Sequence, residues 1–374
     1  MSALRFDFRD LLKSNRIALS LQRIWIQFLG LFIGYLGYLV IAYLSMIVAG
    51  NKFGDMWNQM GLFPCLARVD ANWISWIIYA FGVIFLSFIL LLTATAVSRA
   101  TYMMLKGNNF YTWREAWSFA RKKACSILCS PIAILVLIAL ILGGGVVFAL
   151  LGKIPYVGEA GISIFYLILI FIGLFIVIVS LVFLVALLHT PAVIASTDDD
   201  AFEAVFQAFS LLWNQPWRLI TYLLIVIALS CLSFLGASFI LKKSLYVVDM
   251  VFGTVTGDKY TNLIGQAYYL SSTWVADSLT WMKSLSGNYT DWFYFSDEFV
   301  PLKVPVFLNI TAHIASFMLV LLGTFVVAYT LATFNVGNTI AYLVLRKRKD
   351  HENLLERTDR EELEEEDVNV EEKN

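Results

Sequence analysis

Long stretches of the chain consist of apolar residues without a single charged side chain. They lie near residues 28–49, 73–97, 126–150, 162–188, 219–241 and 314–334, and none of them contains Asp, Glu, Lys or Arg. About 20 apolar residues in a helix cross the ~30 Å hydrocarbon core of a bilayer. Because a segment in lipid must satisfy its backbone hydrogen bonds internally, each run predicts a transmembrane helix. The pattern predicts an all-α fold, a polytopic bundle with six spans.

The last apolar stretch is longer than one span requires. Residues 304–345 contain no charged side chain, and a single helix of that length would be about twice as long as the ~30 Å bilayer core. We therefore expect Asn335, Gly337 and Asn338 to break or bend the helix at its inner boundary. A short interfacial helix, Thr339–Leu345, would follow.

Polar residues flank this last span and form a candidate polar pocket. Asn309, Thr311 and His313 are expected at its outer boundary, and Asn335 and Asn338 at its inner one. The pocket residues are Asn309, His313, Asn335 and Asn338. For His313, a hydrogen-bonded histidine at the membrane boundary is the alternative interpretation.

The second and the fourth loop each contain the sequence signature of a capping box. Thr112 and Asp200 each precede a glutamate by three residues, Glu115 and Glu203, whose carboxylate can return to the backbone of the cap residue. Each box opens an amphipathic helix, which predicts two helices lying in the plane of the membrane interface. The first apolar face consists of Trp113, Ala116, Trp117, Ala120 and Ala124. The second consists of Phe202, Val205, Phe206, Phe209, Leu212 and Trp213, opposite Glu203, Gln207, Ser210 and Asn214.

The order of span, polar loop, capped amphipathic helix and span occurs twice. Glu115-Ala116 matches Glu203-Ala204. The two copies form either a parallel repeat or a chance match of patterns. A Glu-Ala-x-x-x-Ala helix between two spans resembles the membrane domain fused to some bacterial glycerophosphodiester phosphodiesterases, and several uncharacterised bacterial inner-membrane families. The resemblance covers roughly residues 98–241 and lacks the hydrolase domain. It implies a bacterial inner-membrane bundle and carries over no catalytic residue.

Composition narrows the class of protein. Hydrophobic residues make up 59% of the 374 residues and charged residues 15%, whereas soluble domains have about 25% charged residues. A soluble enzyme, a disordered protein and a nucleic-acid-binding protein are excluded, so we expect no nucleic acid as a partner. Membrane lipids are expected partners of such a chain.

Charge patterning predicts the topology. Residues 1–27 form a basic amphipathic segment, the second loop is basic, and the last span is followed by Arg346, Lys347, Arg348 and Lys349. The positive-inside rule places these regions, and both termini, in the cytoplasm of a bacterium with the chain in its inner (plasma) membrane. The six-span domain would cover residues 28–345, and residues 346–374 would form an acidic, disordered cytoplasmic tail.

The longest segment between spans, residues 244–303, is rich in aromatic residues and is expected outside the cytoplasm. We expect a helix over Lys259 to Leu285. Tryptophan and tyrosine favour the membrane–water interface, which indicates an anchor. The sharper interpretation is a partner surface, because aromatic residues dominate binding hot spots. The residues of this candidate surface are Trp274, Trp281 and Trp292.

The sequence contains few residues that could form a catalytic or metal-binding site. Its histidines, His189, His313 and His351, are not spaced as metal ligands, and no catalytic motif is present, so we predict no catalytic, cofactor or metal residues. Residues 198–200, all aspartate, form an acidic cluster with Glu203. The cluster suits either a magnesium ion or, with fewer assumptions, the positive end of a helix dipole.

The charge-free spans are the strongest functional indication. Ion-coupled transporters keep ionisable groups within the membrane, and channels have polar pore linings. We therefore predict a non-enzymatic scaffold, assembly factor or accessory subunit, with a protein partner or a homo-oligomer. A transporter or lipid-handling permease is the alternative, because parallel repeats occur in transporters. A lipid-modifying enzyme using residues 198–203 is a third hypothesis.

Overall fold

The computed structural model of the chain describes residues 4–286, 302 and 304–357. These residues form twelve α-helices and no strand. The helices are α1 (Phe8–Leu11), α2 (Ser14–Ala18), α3 (Leu21–Val48), α4 (Phe53–Met60), α5 (Trp73–Lys106), α6 (Trp113–Lys122), α7 (Ala124–Leu151), α8 (Val157–Thr197), α9 (Ala201–Asn214), α10 (Pro216–Thr256), α11 (Asp258–Ser286) and α12 (Val306–Asp350). Two 3₁₀ turns are also present, one at Leu66–Arg68 between α4 and α5 and one at Leu354–Glu356 after α12.

Six of these helices are long and apolar enough to cross a bilayer. They are α3, α5, α7, α8, α10 and α12, and each contains one of the predicted runs to within a residue. The prediction of an all-α polytopic bundle is thus confirmed, and the chain is a multi-pass membrane protein. Helices α8 and α10 have 41 residues and α12 has 45, which makes them about 60–68 Å long. Each is about twice as long as the ~30 Å bilayer core.

The prediction of a break near Asn335 is wrong. Helix α12 runs without interruption through Asn335, Gly337 and Asn338 to Asp350. The physical reason is tertiary packing. A Cβ atom on Gly337 would lie 2.7 Å from a methyl carbon of Val226, so the glycine lets α10 approach α12 closely instead of ending the helix.

The chain divides into two compact units. The first comprises Met1–Ile26, Leu91–Leu229 and Thr333–Asn374, and the second comprises Gln27–Leu90 and Ser230–Ala332. In the first unit, α7 and α8 form an antiparallel hairpin. The hydroxyls of Ser130 and Thr190 are 3.2 Å apart near one end, and the rings of Phe148 and Phe165 are 6.0 Å apart near the other.

In the second unit, tyrosines of α3 hold the segment that contains α4. The hydroxyls of Tyr38 and Tyr43 donate to the carbonyls of Pro64 and Gly61, at 2.7 and 2.5 Å. The hydroxyl of Tyr35 donates to the carbonyl of Leu62. The segment is thereby fixed through its backbone, where polar groups need partners once they are buried.

Candidate functional site

A sharp corner joins α8 to α9. Asp198 ends α8 with a left-handed backbone (φ 56°), a conformation that aspartate adopts more readily than most residues. The Asp200 carboxylate then accepts a hydrogen bond from the amide of Glu203 at 3.2 Å and begins α9. Ile178 and Phe209 line a common groove, so α9 folds back along α8.

Only one of the two predicted capping boxes is complete. At Thr112, both reciprocal bonds with Glu115 are present. At Asp200, the backbone amide does not donate to the Glu203 carboxylate, so the prediction of a second box is wrong there. The Glu203 carboxylate instead accepts a hydrogen bond from the side-chain amide of Gln207 at 2.5 Å.

Helix α9 has an aromatic face and a small, buried face. Phe202 and Trp213 are each 77% exposed, as expected for a face that meets lipid. The opposite face differs from the prediction. Gln207, expected in water, is buried between Ala204 and Ala208. Helix α6 buries the equivalent stripe, consisting of Ala116, Phe119 and Ala120.

An open polar pocket of about 380 Å³ lies at this corner. We call it the acidic pocket, and it is lined by Lys123, Asp198, Asp199, Asp200 and Glu203. The Lys123 ammonium lies 2.7 Å from the Asp198 carboxylate and donates to the Asp198 carbonyl at 2.7 Å. It therefore ties the start of α7 to the end of α8, where a cation also suits the helix dipole.

The segment after α12 lies beside this pocket. Leu354 is buried, and its carbonyl accepts a hydrogen bond of 2.8 Å from the hydroxyl of Tyr102. Arg357 then places its guanidinium 3.6 Å from the Asp199 carboxylate. Burial of Leu354 thus anchors a cation of the same chain at the pocket.

Two polar residues lie one helical turn apart in the C-terminal part of α12. Asn338 and Tyr342 are buried, and among the described residues neither side chain has a hydrogen-bond partner. Arg346 exerts the largest electrostatic effect of a charged residue on the Tyr342 hydroxyl, ahead of Glu203 and Asp199. Arg346, one turn further, binds Asp350 at 2.8 Å.

Sequence reasoning missed Arg99, a fully buried arginine in α5. Its guanidinium donates to the carbonyl of Ala195 at 3.0 Å and stacks over the ring of Phe119, 4.3 Å from the centroid. Ala195 lies in the last turn of α8, where carbonyls lack partners within the helix. The neighbouring run of small residues, Thr93 to Ser98, is the one sequence signal of close packing here.

The candidate pocket residues fall into two separate groups on α12. In the second unit, His313 Nδ1 lies 2.8 Å from the Asn309 carbonyl, and the Asn309 side chain lies 3.5 Å from the Gln266 amide. Asn335 and Asn338 belong to the first unit. Each group is therefore described within its own unit, and the four-residue pocket stays a prediction.

The candidate partner surface is described only at Trp274. This half-buried side chain packs against the rings of Trp57 and His313, with centroids 6.4 and 6.1 Å away. The Trp274 carbonyl accepts a 2.9 Å hydrogen bond from the Leu62 amide. Trp274 is thus engaged within its own unit. The side chain of Trp281 and all of Trp292 lie outside the described residues.

The predicted helix over Lys259 to Leu285 is confirmed as α11. Its tyrosines anchor it to α10, because the hydroxyls of Tyr260 and Tyr268 donate to the carboxylate of Asp249 at 2.7 and 2.8 Å. Burial, with the hydrogen bond and charge of Asp249, raises the pKa of Tyr260 to about 12 and raises that of Tyr268 as well. Both phenols therefore stay protonated donors at neutral pH.

The described residues show no arrangement of three or more His, Cys, Asp or Glu side chains that could hold a metal ion. The magnesium interpretation of residues 198–203 gains no support from this geometry. Cys125 and Cys129 lie one turn apart on α7 with their sulfurs 3.4 Å apart.

Comparison with models of protein families, with curated proteins and with solved structures gives no match for this chain.

Proposed function

We propose that this chain is a non-enzymatic scaffold, assembly factor or accessory subunit of a membrane complex. The observation that carries the proposal is the bare small-residue surface of α7. A Cβ atom on Gly143, Gly144 or Gly145 would meet no atom within 4 Å. Runs of small residues let transmembrane helices pack closely, so this surface suits a helix of a protein partner or of a second copy.

Glycines elsewhere in the chain lie at close contacts between its own helices. A Cβ atom on Gly34 would lie 3.1 Å from Ile89, and one on Gly82 would lie 3.0 Å from Ile41. These contacts bring α3 and α5 together within the second unit. The glycines of α7 have the same chemistry and no described neighbour, which supports a role in association.

The proposal includes a bacterial inner (plasma) membrane as the location, with both termini in the cytoplasm. The basic end of α12, Arg346 to Lys349, supports this orientation through the positive-inside rule. The resemblance to membrane domains of glycerophosphodiester phosphodiesterases stays a prediction that agrees with this location.

Gly144→Leu tests the proposal. A leucine side chain would hold a partner helix away, and losing about 1.4 kcal/mol of packing lowers association about tenfold. We expect the stoichiometric partner recovered from native membranes to fall by that factor. Gly236→Leu is the matched control, since Gly236 is also within a helix and open. Equal recovery with both variants would argue against α7 as the association surface.

A lipid-handling permease is the second candidate, and one observation favours it. An apolar groove of about 250 Å³ lies between α8 and α9, and its lining includes Val182, Phe206, Phe209 and Leu212. A groove with these walls beside an exposed aromatic face suits an acyl chain.

Leu212→Trp should fill this groove. The indole would occupy space that an acyl chain needs, and we expect the amount of lipid co-purified per protein to fall by about half or more, as each excluded CH₂ forfeits roughly 0.8 kcal/mol. Quantitative lipid mass spectrometry measures it. Phe202→Trp, on the exposed face of the same helix, serves as the control. Unchanged lipid content in Leu212→Trp would remove the groove from consideration.

A further inference from the structure

The N-terminal segment, which precedes α3, has one side that is both basic and apolar. We call this exposed side the basic face, and it consists of Arg5, Phe8, Arg9, Leu12, Arg16 and Leu19. Leu12 and Leu19 are 57% and 62% exposed, although both are large apolar side chains. The other side of α1 and α2 is packed, since Leu11, Ser14 and Ala18 are buried. The basic face is therefore the side of a packed segment that is left for a further contact.

Both carboxylates of this segment are already paired. Asp10 lies 2.7 Å from the Lys13 ammonium, and Asp7 binds the guanidinium of Arg348 in the last turn of α12. Arg9 and Arg16 are exposed, and no carboxylate among the described residues pairs with either of them. The basic face thus presents positive charge that the described part of the chain leaves unbalanced.

Hydrogen bonds hold the segment at the ends of two spans. Arg23 is buried, and its guanidinium donates to the Ile17 carbonyl and to the Thr101 hydroxyl, both at 3.1 Å. Arg348 donates to the carbonyl of Phe6 at 3.2 Å. Thr101 and Arg348 closely follow the charge-free stretches that end at residues 97 and 345. Because a few residues of helix rise only about 5–6 Å, the basic face lies at the depth of the lipid headgroups.

A further contact places the segment beside the start of α6. The side-chain amide of Gln22 donates to the Tyr111 carbonyl at 2.6 Å. Phe110 is 93% exposed, and the exposed Arg114 stacks over the ring of Trp113, 5.3 Å from its centroid. Basic and aromatic side chains thus continue from the basic face to α6, a combination typical of helices that lie on an anionic membrane surface.

The occupant of the basic face has to offer negative charge and apolar contact together. Anionic phospholipids offer both, since their headgroups attract arginine and the edge of the acyl region accepts side chains such as Phe8 and Leu12. An acidic protein segment, for example residues 358–374 of this chain, offers charge with few apolar side chains. We propose that the basic face binds anionic phospholipids and gives the chain a preference for them over zwitterionic lipids.

The experiment titrates the purified full chain in detergent with one lipid at a time. Phosphatidylglycerol and phosphatidylcholine with the same acyl chains serve as the anionic and the zwitterionic probe. Native mass spectrometry gives the dissociation constant of the first bound lipid in each titration. The wild type should bind phosphatidylglycerol about 20-fold more tightly. No protein partner is needed, so the result stands apart from the proposed function.

Arg9→Gln and Arg16→Gln should each lower this preference about fivefold, because each removes one arginine from the membrane surface. Arg16→Lys keeps the charge and should retain the preference to within about twofold. Lys153→Gln is the control for the loss of one positive charge. Lys153 is exposed in the turn between α7 and α8, at the end of α7 opposite to α6, and its variant should match the wild type.

Equal affinity of the wild type for the two lipids would overturn the proposal, and it is the result expected if residues 358–374 cover the basic face. An unchanged preference in both Arg9→Gln and Arg16→Gln would overturn it as well, because the preference would then belong to another surface. A fall in Lys153→Gln as large as that in Arg16→Gln would assign the preference to total charge. A fall of that size in Arg16→Lys would exclude charge as its cause.

Discussion

Gly61→Ala is expected to lower the free energy of unfolding by about 2–5 kcal/mol. Gly61 ends α4 at φ 52°, where an alanine side chain costs roughly 1–2 kcal/mol. Its new Cβ atom would also collide with the backbone of Trp274, which cannot move aside as a side chain can. Overpacking of this kind adds about 1–3 kcal/mol. Unfolding of the purified full chain in detergent measures the loss.

Gly50→Ala separates the two causes. Gly50 also has a positive φ of 95°, but a Cβ atom there would meet nothing within 4 Å. This control should lose only the backbone contribution, about 1–2 kcal/mol. If both variants lose the same stability, the close approach of α4 to α11 does not contribute to the fold of the second unit.

Arg99→Ala is expected to destabilise the first unit by about 3–5 kcal/mol. The substitution removes the donor to the Ala195 carbonyl and the cation stacked on Phe119. A buried carbonyl left without a donor costs about 1–3 kcal/mol, and the cavity from a large buried side chain adds a further 2 kcal/mol or so. The same unfolding assay in detergent applies.

Arg114→Ala provides the comparison for Arg99. Arg114 also stacks on an aromatic ring, that of Trp113, but both side chains are exposed on α6. Removing it should change the stability by no more than about 0.5–1 kcal/mol. A loss as small as this in Arg99→Ala would mean that α8 ends without help from α5.

The spans could be predicted because their cause is local. In lipid, a charge-free apolar run can satisfy its backbone hydrogen bonds only by forming a helix, so its composition alone predicts the span. The complete capping box at Thr112 is local in the same sense, since its partners are three residues apart. The sequence also predicted α11 from helical spacing of its apolar residues.

Features that depend on tertiary contacts could not be predicted. The glycine at 337 predicts a break, but Val226 of another helix fills the space it leaves. The sequence pattern places Gln207 on the polar, solvent-facing side of α9. In the structure this residue is buried, because α9 packs along α8. Likewise, the spacing in Asp200-x-x-Glu203 predicts a capping box. In the structure the Glu203 carboxylate accepts a hydrogen bond from the side-chain amide of Gln207 instead.

The candidate site also combines features that could be predicted from the sequence with features that could not. The acidic residues 198–200 and Glu203 were evident as a cluster, but nothing local joins them to Lys123, Tyr342 or Arg357. Lys123 lies between α6 and α7, Tyr342 lies in α12, and Arg357 lies in the segment after α12. A pocket assembled from such distant segments emerges only when the helices are packed.

Native mass spectrometry of the full chain, extracted gently from its own membranes, tests the central claim most directly. The proposed role as a scaffold or subunit predicts a stoichiometric complex with a protein partner or with a second copy of the chain. A solitary monomer that carries only lipid would contradict this role and favour the lipid-handling permease.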